Sequence, residues 1–434
     1  MASFGECGSK GRISIMLRMK TYQAFRYELK PNNRQVGSLI KHCGVARFAW
    51  NWALARRNEL YQTCEGKERF TNSINQQREL NALKKTELLW MYEVSKYVPQ
   101  CALQDLDRSY ANFYRGMKYH ENIGKPKFKK KGVHDSFRII NGNFKQKTQS
   151  IEVNVKSIKL PKFGFIRTKE DTSKLKGRIL NITVSREADR WFCSLCVETD
   201  RPKSQPIQGE IIGVDLGLNN FAVISNGKEH TYVVAPKPFK KKLSKLQRLN
   251  RQQSRKQSKS SNCKEANLRL SKLYRKMRNA RKDFVNKLTT ELAKTKSVIV
   301  IENLSVRNMV KNRHLARSIA DVGWGDFRRK LEYKTIWYGS RLIVIPCFEP
   351  SSKRCHVCGE INNNLKLSDR AWICLKCGAL HDRDENASDN IRDYGLRILA
   401  TESSSGSNAC GVDVSLPTKV AVDSETGSKR IYNE

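Results

Sequence analysis

The sequence predicts an α+β protein of several domains. A helical block is inserted into a small antiparallel barrel or sandwich, and an α/β domain with a helical insertion and a four-cysteine unit follows. Three observations lead there. The runs SFRII, SIEVNV, SIKLPKFGFIRT, RILNITVSRE and RWFCSLCVE alternate apolar and polar residues between short polar breaks, as half-buried antiparallel strands do. The runs Ile211–Asp215 and Ser297–Glu302 are almost wholly apolar, as expected of strands covered on both faces. Cys355, Cys358, Cys374 and Cys377 are spaced C-x2-C-x15-C-x2-C.

Charge narrows the partners. The 434 residues carry 82 Lys+Arg against 42 Asp+Glu, a formal net charge of +40. Self-repulsion on this scale opposes a compact state unless a polyanion offsets it. An ordinary metabolic enzyme is therefore disfavoured and a nucleic-acid partner expected. A merely solubilising surface would spread the charge, whereas here it is concentrated in segments. Seven Trp, sixteen Phe and a hydrophobic fraction of 39% supply real cores and argue against wholesale disorder. No apolar run reaches the roughly 18 residues of a membrane span, and the N-terminus lacks an apolar leader core. The expectation is a cytoplasmic protein with reduced thiols, the other cysteines being scattered.

Along the chain, residues 20–30 alternate and read as an edge strand of the barrel (segment 1–35), stopped by Pro31-Asn32-Asn33. Residues 36–120 read as helical. Val45, Phe48, Trp52 and Ala55 recur at helical spacing, as do Leu103, Leu106, Tyr110, Phe113 and Tyr114, and both stripes read as core. Lys125, Lys127, Lys129, Lys130 and Lys131 lie in a basic loop bounded by Gly124 and Gly132, a candidate phosphate clamp or a solvated loop. The strand-rich segment is 121–204. Cys193 and Cys196 make another C-x2-C, but lie in a strand with no second pair nearby, and read as strand residues. The α/β domain covers 205–354. Within it, residues 237–296 are helical and hold 21 Lys+Arg against three acidic residues, a net +18. The cysteine unit spans 355–378, a last helix lies in 379–396, and 397–434 reads as a disordered tail.

Two constellations carry chemistry. Two C-x2-C pairs, each followed by glycine (Gly359, Gly378), suit four thiolates around a structural zinc with no open coordination position. His356 and His381 lie close by and read as non-ligands. The second constellation is three carboxylates. Asp215 and Glu302 end apolar strands, and Asp384 stands at a helix start. A carboxylate at the end of a buried strand is costly to desolvate unless paired or metal-bound. Singly, Asp215 could cap a turn, Glu302 could pair with arginine and Asp384 could be an N-cap. Together, in the order strand, strand, helix, they could hold two Mg²⁺ ions.

At these residues the sequence resembles a known family. GVDLGLNNFAVISNG, VIVIENL and HDRDENASDNI look like the three RuvC-type nuclease motifs in order, the last preceded by PSSKRCHVCG and the cysteine ribbon as in TnpB proteins. YQAFRYELKPNNRQ, QDLDRSYANFYRG and GKPKFKKKG are also similar to that family. The resemblance covers about 20–396 and is tightest over 211–391. It departs in the stretch before Met19 and at Ser388, where alanine is more usual.

The resemblance implies a helical recognition lobe inserted in an antiparallel β-barrel, the wedge, followed by an RNase H-like (RuvC) α/β domain with a helical insertion and a zinc ribbon. It makes Asp215, Glu302 and Asp384 the Mg²⁺-binding catalytic set, and Cys355, Cys358, Cys374 and Cys377 the zinc ligands. It implies a transposon-associated, RNA-guided DNA endonuclease whose partners are a guide RNA, a target duplex and its displaced strand, acting as monomer or homodimer. The competing readings are a nuclease-dead RNA-guided repressor, a compact CRISPR effector with an array-derived guide, and a zinc-ribbon regulator without guide or catalysis. The intact carboxylate set disfavours the first.

Overall fold

The computed structural model describes residues 18–142, 150–202, 204–347, 349–366 and 368–404. They divide into two compact units, 19–201 and 202–404. No helix among them is long and apolar enough to cross a membrane.

In the first unit, β1 (Arg18–Lys30) is followed by three helices, α1 (Asn33–Thr63), α2 (Ser73–Thr86) and α3 (Tyr97–Lys118). The strands β2 (Ser136–Ile140), β3 (Glu152–Asn154), β4 (Ser157–Leu160), β5 (Gly164–Thr168), β6 (Arg178–Glu187) and β7 (Arg190–Pro202) follow. The seven strands form one sheet in the order β2-β6-β7-β1-β5-β4-β3, so the helices are inserted after its first strand in sequence. The sequence leads to a barrel; the hydrogen bonding defines a seven-stranded sheet with β2 and β3 as its end strands. The edge position expected for residues 20–30 is corrected: β1 lies between β7 and β5. Alternation reports that one face is buried, here by Thr21, Tyr27 and Leu29, but says nothing about hydrogen bonding on either side.

The chain turns from β1 into α1 through a capping box. Asn32 Oδ1 accepts from Gln35 N at 2.8 Å and Gln35 Oε1 accepts from Asn32 N at 3.1 Å. The aromatic stripe of α1 is not its most buried face. Leu39, Ala49, Ala53 and Leu54 are; of the stripe, Val45 is buried, Phe48 and Trp52 pack half-buried against the same core, and Ala55 is exposed. In α3, Leu103 and Leu106 are buried but Tyr114 is exposed.

The second unit holds β8 (Ile211–Asp215), β9 (Ala222–Ser225), β10 (His230–Val233), α4 (Pro238–Ser254), α5 (Ser261–Thr295), β11 (Val298–Glu302), α6 (Val306–Met309), α7 (Arg313–Val322), α8 (Trp324–Tyr338), β12 (Arg341–Ile345), β13 (Ala371–Ile373), β14 (Leu380–Asp382) and α9 (Arg383–Ser404). Five strands form a mixed sheet, β10-β9-β8-β11-β12, antiparallel through β10, β9 and β8 and parallel from β8 through β11 to β12. The apolar runs divide by parity. Ile212, Val214, Ile299 and Ile301 join a core with residues of α5, α7 and α8, whereas Ile211, Val298, Val300, Ile343 and Ile345 pack with Ile391 and Tyr394 of α9. Helices cover both faces, which is why these strands read as continuous apolar runs.

α9 extends beyond the segment expected from the sequence. Ile398 and Leu399 continue its apolar stripe and Arg341 pairs with Glu402, so residues 397–404 are helical, not a tail; 405–434 lie outside the described residues. Glycines let α9 sit close on the sheet. A Cβ on Gly213 would meet Ser388 O at 2.1 Å, and one on Gly395 would meet Val300 Cγ2 at 2.4 Å. Gly213→Ala should therefore lift α9 from β8. A loss of about 2–3 kcal/mol, read as a lower thermal midpoint, is expected from overpacking of this kind. The residue at the family's variable position, Ser388, is fully buried, and its Oγ donates to Glu385 O at 2.7 Å, which satisfies the extra hydroxyl.

Candidate active site and metal centre

Strand parity places two of the three carboxylates. Asp215 follows Ile211 and Gly213, and Glu302 follows Val298 and Val300, on the side of the sheet that α9 covers. β8 and β11 are parallel with Ile301 opposite Val214, so the register brings Asp215 and Glu302 side by side at the carboxyl ends of neighbouring strands. α9 delivers Asp384 from its first turn. The alternative of Asp384 as the cap falls away, because Asp382 takes that place: its Oδ1 accepts from Asp384 N at 2.9 Å and Glu385 N at 3.1 Å. Asp384 thus does not spend its carboxylate on the helix end, and its charge acts on Asp215.

The electrostatics register the convergence. Asp215 is raised to about 8, first by burial and then by the negative charges of Glu302 and Asp384, against the opposing pull of Arg383. Burial also raises Glu302, opposed by a hydrogen bond from Ser351 Oγ. Arg370 Nη1 lies 3.5 Å from Asp384 Oδ1. Three hard oxygen donors that repel one another are a donor set suited to a divalent cation, so the residues present fit Mg²⁺. They are gathered less tightly than the sulfurs described next. Among the described residues, those form the one group of His, Cys, Asp or Glu ligand atoms lying within 4.8 Å of one another.

Those sulfurs are Cys355, Cys358, Cys374 and Cys377. Cys358 Sγ lies 3.5 Å from Cys374 Sγ, and Cys355 Sγ lies 3.6 Å from Cys377 Sγ. All four are free thiols, and a tetrahedral Zn–S site has sulfurs about 3.8 Å apart. Gly359 and Gly378 adopt φ of +77° and +72°, the left-handed turn that closes each knuckle. The Cys377 backbone N–H holds the Cys374 thiol below its ordinary value. The set fits a structural zinc. His381 Nε2 lies 3.1 Å from Cys355 Sγ, beside the four-sulfur group and not within it.

The basic loop is pinned to α1. Trp50 Nε1 donates to Lys127 O at 3.0 Å, and Asn51 bonds both the N–H and the carbonyl of Lys129. Lys129 Nζ rests 3.8 Å from the Trp50 ring centroid, and the partial loss of solvent there lowers its pKa, although the residue, like the loop's other lysines, is exposed. Cys193 and Cys196 are buried in β7. The sequence reading missed Ser351, Asn386 and Asn390; the spacing of the two asparagines, four apart on one helix, was the available signal.

Family comparisons add the chain's ancestry. A family model for IS605 OrfB proteins, described as "Probable transposase", matches residues 194–313. A "Cas12f1-like, TNB domain" model matches 324–391, the part that holds the cysteine centre. A protein of Streptomyces pristinaespiralis, provisionally named an RNA-guided DNA endonuclease, is 34% identical over 385 residues, 87% of this chain and 90% of the relative. The chain belongs to the TnpB family. Another relative of this TnpB-family chain, InsQ of Escherichia coli, carries the same provisional name and is 31% identical over 399 residues, 88% of this chain and 94% of the relative. A "Helix-turn-helix domain" model matches 19–67, where the TnpB-family chain has β1 and one uninterrupted 31-residue helix. The solved structure of CasPhi-2 (Cas12j) bound to crRNA aligns over 87% of this chain and 98% of its own at 11% identity and a TM-score of 0.40, too distant to assign any residue.

Proposed function

We propose that the protein is an RNA-guided DNA endonuclease. A guide RNA pairs with target DNA beside a short target-adjacent motif, and one RuvC-type site of Asp215, Glu302 and Asp384 hydrolyses phosphodiester bonds in both strands. The observation that carries this reading is the meeting of three carboxylates from β8, β11 and α9, with Asp215 raised to about 8 by burial and by the other two. The strand order, three antiparallel strands followed by two parallel ones, supports an RNase H-like domain. The relatives' names support the RNA-guided activity.

Asp215, Glu302 and Asp384 would hold Mg²⁺, two ions by this reading, which supply an activated water and stabilise the leaving 3′ oxygen. The chain's part is placement. Two ligands stand on adjacent rigid strand ends and the third on a capped helix, so little reorganisation is needed when substrate arrives. Arg370 and Arg383 temper the mutual repulsion of the carboxylates. The cysteine ribbon is structural, its four sulfurs leaving zinc no open position. The unit 19–201 serves as the wedge and recognition lobe, with the exposed lysines of the 124–132 loop on phosphates.

α4 and α5 form a hairpin with its own small core of Leu246, Leu270, Leu273 and Met277, and its outer faces are basic. On this reading it lines the path of the RNA–DNA heteroduplex, which a protein grips by its backbone. Lys241, Lys245 and Arg248 share one exposed face of α4. Replacing all three with alanine should weaken guided binding and lower the slope of log K against log salt by about 2–3, each phosphate contact contributing roughly 0.9. An unchanged slope in filter-binding titrations would remove the hairpin from the path. The decisive test of the class is to purify the protein with its native locus and sequence the RNA that travels with it. A discrete guide that directs cutting is expected; random RNA would return the zinc-ribbon regulator.

A further inference from the structure

Between β12 and the first zinc knuckle a short strap of chain reaches the carboxylate site at Ser351. Ser351, buried in this strap, donates its Oγ to Glu302 Oε1. The strap is held from α9. Asn390 Nδ2 donates to Ser351 O and to Arg354 O, each at 2.7 Å. One turn earlier, Asn386, 2% exposed, donates from Nδ2 to Arg354 O at 2.8 Å and accepts from His356 N at 2.9 Å. Arg354 and His356 flank the zinc-site Cys355. Both asparagines therefore spend their carboxamides on the backbone of one short segment. That segment ends in a knuckle at one side and reaches Glu302 at the other.

The two carboxamides make four hydrogen bonds to three strap groups here, and each bond left unmade in such a place is costly. An arrangement of this kind does more than pack. A carboxylate at a strand end can rotate about its terminal torsion, which is broad and roughly twofold. The Ser351 hydroxyl removes that freedom by fixing one oxygen of Glu302. Groups that orient a ligand in this way tune the affinity of the site they support.

We propose that Ser351 is a positioning residue for the carboxylate site, seated by Asn390 and Asn386 so that the first zinc knuckle and α9 together set the orientation of Glu302. The proposal deepens the metal-dependent nuclease reading and rests on it. Ser351→Ala should weaken Mn²⁺ binding to the full-length protein freed of RNA about tenfold, measured by loss of the free-ion signal in electron paramagnetic resonance. The Mg²⁺ concentration for half-maximal cleavage by the RNA-loaded protein should rise by a similar factor. Zinc content and thermal midpoint should stay at wild-type values. Ser351→Thr, which keeps the hydroxyl, should restore both affinities, and Asn390→Asp, which keeps the shape but loses the donor, should reproduce part of the loss.

Wild-type Mn²⁺ and Mg²⁺ dependence in Ser351→Ala, with both lost in Asp215→Ala, would overturn the positioning role and leave the nuclease reading intact. A Ser351→Ala protein that loses zinc or melts early, and is not rescued by threonine, would assign Ser351 a packing role and equally overturn it. Unchanged Mn²⁺ binding and cutting in Asp215→Ala would sink the nuclease reading first, and this inference with it.

Discussion

Asp215→Ala should abolish DNA cleavage while guided binding survives. On the proposed reading the substitution removes one of three ligands of the Mg²⁺ site. Metal stabilisation of the transition state is worth several kcal/mol, and each 1.36 kcal/mol is a factor of ten. A fall of roughly a thousandfold or more in the single-turnover rate is expected. Binding should persist because the phosphate contacts lie on other elements. Cutting at the wild-type rate would remove Asp215 from the site.

The same carboxyl makes a prediction without any nucleic acid. Its folded pKa is raised to about 8 from an ordinary value near 4. The folded state therefore binds the proton more tightly than the unfolded chain does. The resulting stability is fully present below about pH 4 and is lost as pH rises through about 8. In chelator, the wild-type protein should melt higher at pH 6 than at pH 8. Asp215→Asn should flatten that difference, and added Mg²⁺ should restore stability at the upper end. Equal melting of wild type and Asp215→Asn at both pH values would show that the carboxylates do not repel as described.

Removal of the zinc should be the other large effect. The ribbon's own core is small, made of Leu365, Trp372 and the buried cysteines, so its internal fold leans on the metal. Free energies of structural zinc sites reach about 10–16 kcal/mol in isolated fingers. A part of this, roughly 3 kcal/mol, is expected to reach the melting of a unit this size, or about 6–12 °C. Cys374→Ser should lose its zinc by elemental analysis, melt earlier and cut poorly. The cutting defect follows from contact: the ribbon reaches Asp384 through Arg370 and Glu302 through the Ser351 strap. Unchanged melting and cutting would count against the ribbon reading.

Parts of this protein were legible in the sequence because they are local. Residue spacing alone marks the two knuckles, since a tight turn needs glycine after each C-x2-C pair. Apolar runs mark β8 and β11, and each run ends on its carboxylate. The wrong readings were those in which local pattern is silent about neighbours. Alternation in residues 20–30 could not tell an edge strand from the one that sits between β7 and β5. The stripe of α1 does reach the core through Val45, Phe48 and Trp52, but only packing shows that Leu39, Ala49 and Ala53 are more deeply buried and Ala55 is exposed. The alternative of Asp384 as a helix cap could be set aside only by the hydrogen bonds, which give the cap to Asp382.

The sequence by itself therefore determined the donor sets: four cysteines at knuckle spacing, three carboxylates at element ends, and a net +18 concentrated in 237–296. Only the tertiary structure decided how they act together. Parallel register sets Asp215 beside Glu302, glycines at 213 and 395 let α9 approach with Asp384, and Ser351, Asn386 and Asn390 bind the ribbon to that helix and strand. The reason is physical. Ligand type and turn chemistry are properties of a few neighbouring residues, whereas convergence depends on strand register and close packing between segments far apart in the chain.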